Sequence, residues 1–372
     1  MIDPKEFYDA LVGKGLDFFC GVPDSLLKDF CACVFDNAPE GRNIIAANEG
    51  GAVGMACGYH VSTGKHGVVY MQNSGEGNAV NPLLSIADPE VYGIPMLLVI
   101  GWRGEPGVHD EPQHAKQGKA TLPLLEAMGV EHMVLDASWR AQLGRCCDCL
   151  REGRTVALVV RKGVFDPYAF DVDKGSAPLT RERALELALS AIGEGDFVVS
   201  TTGKTSREVF EIREARGQGH AQDFLTVGGM GHTGSIAFGM ACGADRNVWC
   251  IDGDGSFLMH MGSLAVIARN APGNFKYVLN NNGAHESVGG QPTVAQQIDV
   301  PGILRAFGFE VFEARTEEEV TQGMASLRGS RLGALVVTTR QGSRPDLGRP
   351  TASPRENKLA MMEAFGSLEK LS

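Results

Sequence analysis

Short apolar runs alternate with helical patterns along the whole chain. The runs are continuous rather than alternating between apolar and polar residues, which is typical of strands covered on both faces of a parallel sheet. Helical segments between the runs predict right-handed crossovers from one strand to the next. The pattern therefore predicts an α/β protein with two doubly wound parallel-sheet domains. The predicted strands are 17–20, 43–46, 67–71, 96–100, 132–135 and 156–160 in the first half, and 197–199, 224–227, 248–251, 277–279, 311–312 and 334–337 in the second.

A short repeat indicates that the two halves arose by duplication. The sequence Gly-Met-Ala-Cys-Gly occupies residues 54–58 and recurs at residues 239–243, an offset of 239 − 54 = 185 residues. A polar stretch with Gly and Pro lies between the halves and is predicted to be a linker at 171–180. The predicted domains are therefore 1–170 and 181–372.

Composition and charge narrow the classes of partner. The chain has 372 residues, 43% of them hydrophobic, and a net charge of −11. Such an acidic chain is not expected to bind nucleic acid or an anionic membrane, and an anionic substrate needs a local basic patch. The first residues show no basic head followed by an apolar signal core, and no apolar run reaches membrane-spanning length. With nine cysteines, an odd number and mostly in apolar contexts, a reduced, cytoplasmic protein is expected.

Polar and glycine residues directly follow the predicted strand 248–251. Asp254 stands between Gly253 and Gly255, and a helical pattern begins after Ser256. Taken alone, Gly-Asp-Gly is ordinary turn chemistry, and an acid near a helix start is ordinary capping. Here, however, the acid lies at the carboxyl end of a strand, where open α/β sheets bind ligands. The glycines allow close approach of a phosphate, and the serine with the helix N-terminus supplies donors and positive potential.

A second polar strand end lies 281 − 254 = 27 residues later. The predicted strand 277–279 is followed by Asn280, Asn281 and Asn282. Because Asp254 and Asn281 would lie at the same edge of neighbouring strands, we expect them to be close. A carboxylate, an amide oxygen and a backbone carbonyl form a hard oxygen set that suits Mg²⁺. The two strand ends therefore predict Mg²⁺ together with a diphosphate.

This pair of strand ends resembles the signature of thiamine diphosphate-dependent enzymes. The resemblance extends over nearly the whole chain, with a pyrimidine-binding half first, a diphosphate-binding half second, and no large middle domain. It implies thiamine diphosphate and Mg²⁺ as cofactors, with the metal held by Asp254, Asn281 and the carbonyl of Gly283. It also implies a homo-oligomer with active sites between subunits, in which Glu49 of one chain meets the Gly253–Asn281 motif of another.

The resemblance gives roles to further residues that also have simpler explanations. Glu49 opens a Gly/Ala-rich helix, where any acid is favoured by the helix N-terminus; the resemblance implies that it binds the pyrimidine and transfers a proton to it. Met230 lies in a glycine-rich turn and is either a core residue or the apolar support beneath the cofactor. The carbonyl of Gly228 would hold the cofactor's amino group, and the loop with Thr202 would face the phosphates.

Within the family, several segments resemble 2-oxo acid decarboxylases whose substrates carry a second anionic group. The resemblance implies a carboxy-lyase that converts 3-phosphonopyruvate into phosphonoacetaldehyde and CO₂ in phosphonate biosynthesis. Two alternatives stay open: conversion of sulfopyruvate into sulfoacetaldehyde, and a non-catalytic binding subunit with the same fold. The segments are 22–28, 110–114, 202–207, 284–292 and 343–351.

Candidate substrate ligands lie in three places. Near the first strand, a neutral Ser25 beside Asp24 reduces repulsion of an anionic substrate. The loop 102–119 is either solvated or supplies basic groups to the substrate. The arginine-rich segment 340–350 is either solvated or binds a phosphonate, since a guanidinium is well suited to bind that group. The basic candidates are Arg103, Lys116, Lys119, Arg344 and Arg349.

Three residues are candidate proton relays: His114, His285 and Glu286. Apolar packing or loop capping explains each of them almost as well.

Overall fold

The computed structural model describes residues 1–171 and 174–367. The chain forms two compact units, and the boundary between them in the sequence lies near residue 172. The short segment 287–291 also belongs to the first unit. Residues 172 and 173 of the predicted linker, and residues 368–372 of the predicted second domain, lie outside the described part.

The first unit contains one parallel sheet of six strands in the order β2-β1-β3-β4-β6-β5. All six strands predicted for this half overlap an observed strand. The strands are β1 (Phe19–Gly21), β2 (Asn43–Ile45), β3 (Val68–Gln72), β4 (Leu97–Gly101), β5 (Glu131–Val134) and β6 (Val156–Val160). The helices are α1 (Pro4–Gly13), α2 (Lys28–Asn37), α3 (Glu49–Thr63), α4 (Glu76–Pro82), α5 (His114–Ala127) and α6 (Trp139–Arg151), with short 3₁₀ and π segments at Asn73–Gly75 and Leu83–Ala87.

The second unit contains another parallel sheet of six strands, in the order β11-β12-β10-β9-β7-β8. Its strands are β7 (Phe197–Ser200), β8 (Asp223–Leu225), β9 (Val248–Gly253), β10 (Phe275–Asn281), β11 (Glu310–Ala314) and β12 (Gly333–Thr338), so all six predicted strands are found here too. The helices are α7 (Arg181–Ala191), α8 (Lys204–Ala215), α9 (Thr233–Ala241), α10 (Asp254–Met259), α11 (Gly262–Asn270), α12 (Val300–Phe307), α13 (Glu317–Gly329) and α14 (Pro354–Ala364), with a 3₁₀ turn at Glu286–Val288.

The two sheets have the same topology. If β7 to β12 are numbered 1 to 6 within their own unit, the strand order from the β8 edge is 2-1-3-4-6-5. The strands of the first sheet have the same order. The repeated motif lies within α3 and at the C-terminal end of α9, and each of these helices follows the second strand of its unit. The predicted fold class of two doubly wound parallel-sheet domains is therefore confirmed, and the shared strand order supports duplication.

Burial on both faces explains the continuous apolar runs. In β4, Leu97 and Val99 belong to one core cluster while Leu98 and Ile100 belong to the cluster on the other face. In β12, successive residues alternate in the same way between two clusters. Because neighbouring side chains point to opposite faces and both faces are covered by helices, every position is apolar. Among the described helices, none is long and apolar enough to cross a membrane.

The close approach of β1 to β3 gives a stability prediction. A Cβ added to Gly21 would overlap the backbone carbonyl of its strand partner Tyr70. We expect Gly21→Ala to lower the free energy of unfolding by about 1–3 kcal/mol, because the strands must move apart. Gly13→Ala in α1 is the matched control, since an added Cβ meets nothing within 4 Å there. It should be neutral or stabilising by up to about 1 kcal/mol. Urea denaturation of both variants checks this, and equal midpoints would contradict it.

Candidate active site

Asp254 and Asn281 lie at the ends of two adjacent strands. Asp254 directly follows β9, is 3% exposed, and begins α10, while Asn281 is the last residue of β10. The strands are paired in parallel with Asn280 opposite Gly253. The hydroxyl of Tyr277 in β10 donates to the buried carboxylate of Asp252 in β9 at 2.9 Å and links the two strands.

Thr293 connects the three predicted metal ligands. Its hydroxyl donates to the carboxylate of Asp254, and its backbone N–H donates to the carbonyl of Gly283 at 2.8 Å. The N–H of Gly283 in turn donates to the side-chain oxygen of Asn281 at 3.2 Å. One hydrogen-bond chain therefore contains all three groups. The sequence analysis missed Thr293, because a single threonine after a turn carries no pattern that distinguishes it.

The electrostatics of Asp254 suit a divalent cation. Burial raises the pKa of its carboxyl to about 6, although the hydrogen bond from Thr293 and the charge of Arg181 favour the ionised form. A nearby Mg²⁺ would stabilise the carboxylate further, and an amide oxygen and a backbone carbonyl complete a hard oxygen set. In the described part of the chain, no group of three or more His, Cys, Asp or Glu side chains could hold a metal.

Several loops of the second unit converge beside this oxygen set. A Cβ added to Gly255 would lie 3.1 Å from ring atoms of His285 and from the terminal methyl of Met230. The N–H of Gly231 donates to the hydroxyl of Ser256 at 3.1 Å. Because glycine has no Cβ, Gly255 allows the loops after β8, β9 and β10 to pack closely together. Burial lowers the pKa of His285 to about 4, so its imidazole is neutral at neutral pH.

The loops after β7 and β8 are also joined to each other. The hydroxyl of Ser206 donates to the carbonyl of Thr201 at 2.6 Å and lies 2.9 Å from the carbonyl of Thr226. These contacts lie next to Thr202 and near Gly228, two of the predicted cofactor ligands. Both predicted ligands therefore belong to loops at the carboxyl edge of the second sheet.

Glu286 is held by cations and an amide. Its carboxylate accepts from Arg181 at 2.7 Å, from Lys204 at 2.9 Å and from the side chain of Asn282 at 2.9 Å. Burial opposes ionisation, but Arg181 and Lys204 outweigh it and hold the pKa of Glu286 at about 2. The carboxylate is therefore ionised and fully engaged at neutral pH, which favours an anchoring role over the predicted proton relay.

Glu49 is the first residue of α3 in the first unit and is 5% exposed. The side chain of Asn78 donates to its carboxylate at 2.8 Å. Gly75 packs so closely that a Cβ there would overlap the Glu49 carboxyl group. Burial raises the pKa of Glu49 although the hydrogen bond from Asn78 opposes it, and a raised pKa suits a carboxyl that exchanges protons near neutral pH.

Glu76 is a buried carboxyl that the sequence analysis missed. It is 4% exposed, directly follows Gly75, and one of its oxygens has no hydrogen-bond partner among the described residues. Burial raises its pKa to about 8 despite a hydrogen bond from Thr121, so it is mostly protonated at neutral pH. No local pattern separates it from the solvated glutamates that commonly begin a helix.

A pocket in the first unit contains two predicted substrate ligands. Arg103 donates through Nε to the carboxylate of Asp110 at 2.8 Å, again through Nη2 to the same carboxylate, and through Nη1 to the hydroxyl of Ser25 at 2.8 Å. Asp24 is fully buried beside them, and burial raises its pKa although Gln72 donates to it. The pocket is lined by Ser25, Leu26, Trp102, Arg103, Gly104, Glu105, Val108, His109, Asp110 and Lys162.

The other predicted residues lie in different surroundings. Lys116 and Lys119 are exposed on α5. His114 at the start of α5 is 7% exposed, and burial together with the charge of Arg103 lowers its pKa to about 4. Arg344 donates to Glu182 at 2.7 Å and also pairs with Glu211 and Asp346, whereas Arg349 is exposed. Three carboxylates therefore already occupy the guanidinium of Arg344.

Comparison with known proteins agrees with this organisation. Residues 5–133 match the family described as "Thiamine pyrophosphate enzyme, N-terminal TPP binding domain", and residues 201–338 match "Thiamine pyrophosphate enzyme, C-terminal TPP binding domain".

Three similar proteins are decarboxylases. Phosphonopyruvate decarboxylase of Streptomyces hygroscopicus is 32% identical, covering 96% of this chain and 92% of that protein. The protein with the same name in Streptomyces viridochromogenes is 32% identical over 96% of this chain and 93% of its own. Sulfopyruvate decarboxylase of Methanosarcina acetivorans is 26% identical over 89% of each chain. With two matching domains and relatives that match over nearly its whole length, the chain belongs to the thiamine pyrophosphate enzyme family, as one of its decarboxylases.

Proposed function

We propose that this chain decarboxylates 3-phosphonopyruvate to phosphonoacetaldehyde and CO₂ in phosphonate biosynthesis, with thiamine diphosphate and Mg²⁺ as cofactors. The observation that carries the proposal is the 32% identity to two phosphonopyruvate decarboxylases over 96% of the chain, against 26% for the sulfopyruvate decarboxylase. Sulfopyruvate is the second candidate substrate. A binding subunit without turnover is disfavoured, because the chain contains both the buried Glu49 and the Asp254 oxygen set.

The second unit would bind the cofactor. Asp254, Asn281 and the carbonyl of Gly283 would hold Mg²⁺, since one hydrogen-bond chain already groups them. When bound, thiamine diphosphate supplies the carbanion-stabilising chemistry of decarboxylation, and the protein binds and orients. The residues assigned to the diphosphate are Thr202, Gly253, Gly255 and Ser256, and those assigned to the rest of the cofactor are Gly228 and Met230.

Glu49 would exchange a proton with the pyrimidine ring. Its carboxyl is buried, is oriented by Asn78, and has a raised pKa, so that the protonated and ionised forms lie closer in free energy than in water. The neutral imidazoles of His114 and His285 remain candidates for later proton transfers to the product.

Arg103 is the stronger candidate for binding the phosphonate. Asp110 accepts from Nε and Nη2 and fixes the orientation of the guanidinium, and Nη1 donates to Ser25, so Nη1 and Nη2 each keep one further N–H beside the pocket that Arg103 and Ser25 line. A guanidinium held in this way can bind an anion through two adjacent donors. Arg344 is less suited, because three carboxylates surround it.

We further propose a homo-oligomer in which Glu49 of one chain serves the cofactor bound by the second unit of another. A cytoplasmic location is proposed on the ground that most of the cysteines are buried as thiols, which favours a reducing compartment.

The substrate is tested by steady-state kinetics with thiamine diphosphate and Mg²⁺ present. We expect kcat/KM to be highest for 3-phosphonopyruvate, lower for sulfopyruvate, whose sulfonate carries less charge at neutral pH, and lowest for pyruvate. A higher kcat/KM for sulfopyruvate than for phosphonopyruvate would make sulfopyruvate the preferred substrate and leave the proposed reaction type, decarboxylation, unchanged. Absence of CO₂ release from all three would favour the binding subunit.

Glu49→Gln should reduce kcat by about 10²–10⁴-fold while the protein stays folded, because an amide cannot deliver the proton. Stopped-flow or steady-state turnover with saturating cofactor measures the loss, and circular dichroism checks the fold. The matched control is Glu40→Gln, the same change at an exposed position in the same unit, which should leave kcat unchanged. Turnover of the Glu49 variant within severalfold of wild type would rule out the role.

Arg103→Ala should raise KM for phosphonopyruvate at least about tenfold, as expected for loss of a hydrogen bond to a charged group. Its kcat should change little, because the phosphonate is not altered in the reaction, and KM for pyruvate should hardly change. Arg344→Ala serves as the comparison and should leave KM near wild type. The double variant Arg103→Ala/Asp110→Ala separates loss of the cation from repulsion by an unpaired Asp110. The assignment fails if Arg344, and not Arg103, controls KM.

A further inference from the structure

Glu286 lies at the end of the segment that leaves β10. This segment begins with Asn281 and Asn282, turns at Gly283, which has a left-handed φ of +69°, and reaches Glu286 three residues later. Asn281 and Gly283, the two proposed metal ligands of this segment, therefore lie near the start of the segment. Whatever fixes Glu286 limits where the Gly283 carbonyl can point.

Three elements of the second unit meet at the Glu286 carboxylate. Arg181 comes from the start of α7, Lys204 from the start of α8, and Asn282 from the segment itself. The carbonyl oxygen of the Asn282 side chain also accepts from the N–H of Ala284 at 3.1 Å. The segment is therefore held at both ends, by this internal hydrogen bond and by the two cations.

Arg181 is itself rigidly held. It is 5% exposed, and the carboxylate of Glu208 accepts from its Nε at 2.6 Å and from its Nη2 at 2.8 Å. The third donor, Nη1, is thereby directed at Glu286. The group contains two cations, Arg181 and Lys204, and two carboxylates, Glu208 and Glu286, so its net charge is zero. Buried charges are stable only when each of them is paired.

This group is joined directly to the segment that carries two of the proposed metal ligands. Asn282, whose side chain donates to Glu286 at 2.9 Å, lies between Asn281 and Gly283. Lys204 begins the helix after the loop of Thr202, which is proposed to face the diphosphate. The same four side chains thus connect the loop after β7 with the segment after β10.

We propose that Arg181, Lys204 and Glu286 form a tether that fixes the segment 281–286 for metal binding, and that Glu286 is a positioning residue for Mg²⁺ rather than a proton relay. The inference rests on the proposed metal set of Asp254, Asn281 and Gly283. Outer partners of metal ligands act in this way, and their loss typically weakens metal binding about 10–100-fold.

The experiment measures Mn²⁺ binding in the presence of thiamine diphosphate, by the loss of the free Mn²⁺ signal in electron paramagnetic resonance. Mn²⁺ is a suitable probe because it prefers the same oxygen ligands as Mg²⁺. For Glu286→Gln we expect the Kd for Mn²⁺ to rise about 10–100-fold, while kcat at saturating metal and cofactor stays near wild type. A proton relay predicts the reverse: an unchanged Kd, and a kcat that falls about 10²–10⁴-fold.

Two further variants complete the test. Glu131→Gln is the matched control, because Glu131 in the first unit also bridges two cations, Arg145 at 2.6 Å and Arg154 at 2.7 Å, and its loss should leave Mn²⁺ binding unchanged. Lys204→Met removes one cation of the tether at a side chain that is 29% exposed, so it should fold even if Glu286→Gln does not, and it should also weaken Mn²⁺ binding.

The outcomes separate the tether from the metal set. If the wild-type protein with thiamine diphosphate binds no Mn²⁺, the proposed metal set is wrong, and the tether falls with it. If the wild type binds Mn²⁺ and the folded Glu286 and Lys204 variants bind it equally well, the tether alone is overturned. An equal loss in the Glu131 control would also overturn it, since the effect would then follow from any broken ion bridge.

Discussion

The carboxylate of Asp254 is buried at the edge of a sheet, and a buried charge must be paired. Within the chain its side-chain partner is the hydroxyl of Thr293, which leaves the carboxyl with a pKa of about 6. A divalent cation would satisfy this carboxylate better than a hydroxyl does. The parallel pairing of β9 with β10 and the hydrogen-bond chain through Thr293 then place Asn281 and Gly283 where the same cation can use them.

Both units have the same strand order and a buried acid after a strand, but the surroundings of the two acids differ. In the first unit one buried acid, Glu49, is oriented by an amide donor and has a raised pKa, which suits proton exchange. In the second unit one buried acid, Asp254, lies beside an amide oxygen and a backbone carbonyl, a set that suits a metal. The same strand order thus supports two sites, and the difference lies in the loops rather than in the sheets.

The sequence predicted the strands, and the two polar strand ends that share one sheet edge, because both depend on local pattern. Strands covered on both faces must be continuous apolar runs, and all twelve runs overlap observed strands. Gly-Asp-Gly and the asparagines follow their strands directly, so the topology alone brings them to one edge.

Pairings between distant elements were not predictable. Arg181 and Glu286 are 105 residues apart, and Arg344 and Glu182 are 162 residues apart. No periodicity records such contacts, so the sequence alone leaves Glu286 as a candidate proton relay and Arg344 as a candidate phosphonate ligand. Thr293 and Glu76 were missed for the same reason, since their importance comes from burial and from partners on other elements.

The metal proposed to anchor the cofactor would be held by Asp254, Asn281 and the Gly283 carbonyl, and this assignment is open to direct observation. A crystal structure of the protein with thiamine diphosphate and Mn²⁺ tests it most directly, because Mn²⁺ is located by its anomalous scattering. We expect one strong anomalous peak at coordination distance from all three oxygens, with the remaining positions taken by phosphate oxygens and water. A peak coordinated by other side chains, with the carboxylate of Asp254 outside its coordination sphere, would contradict this proposal.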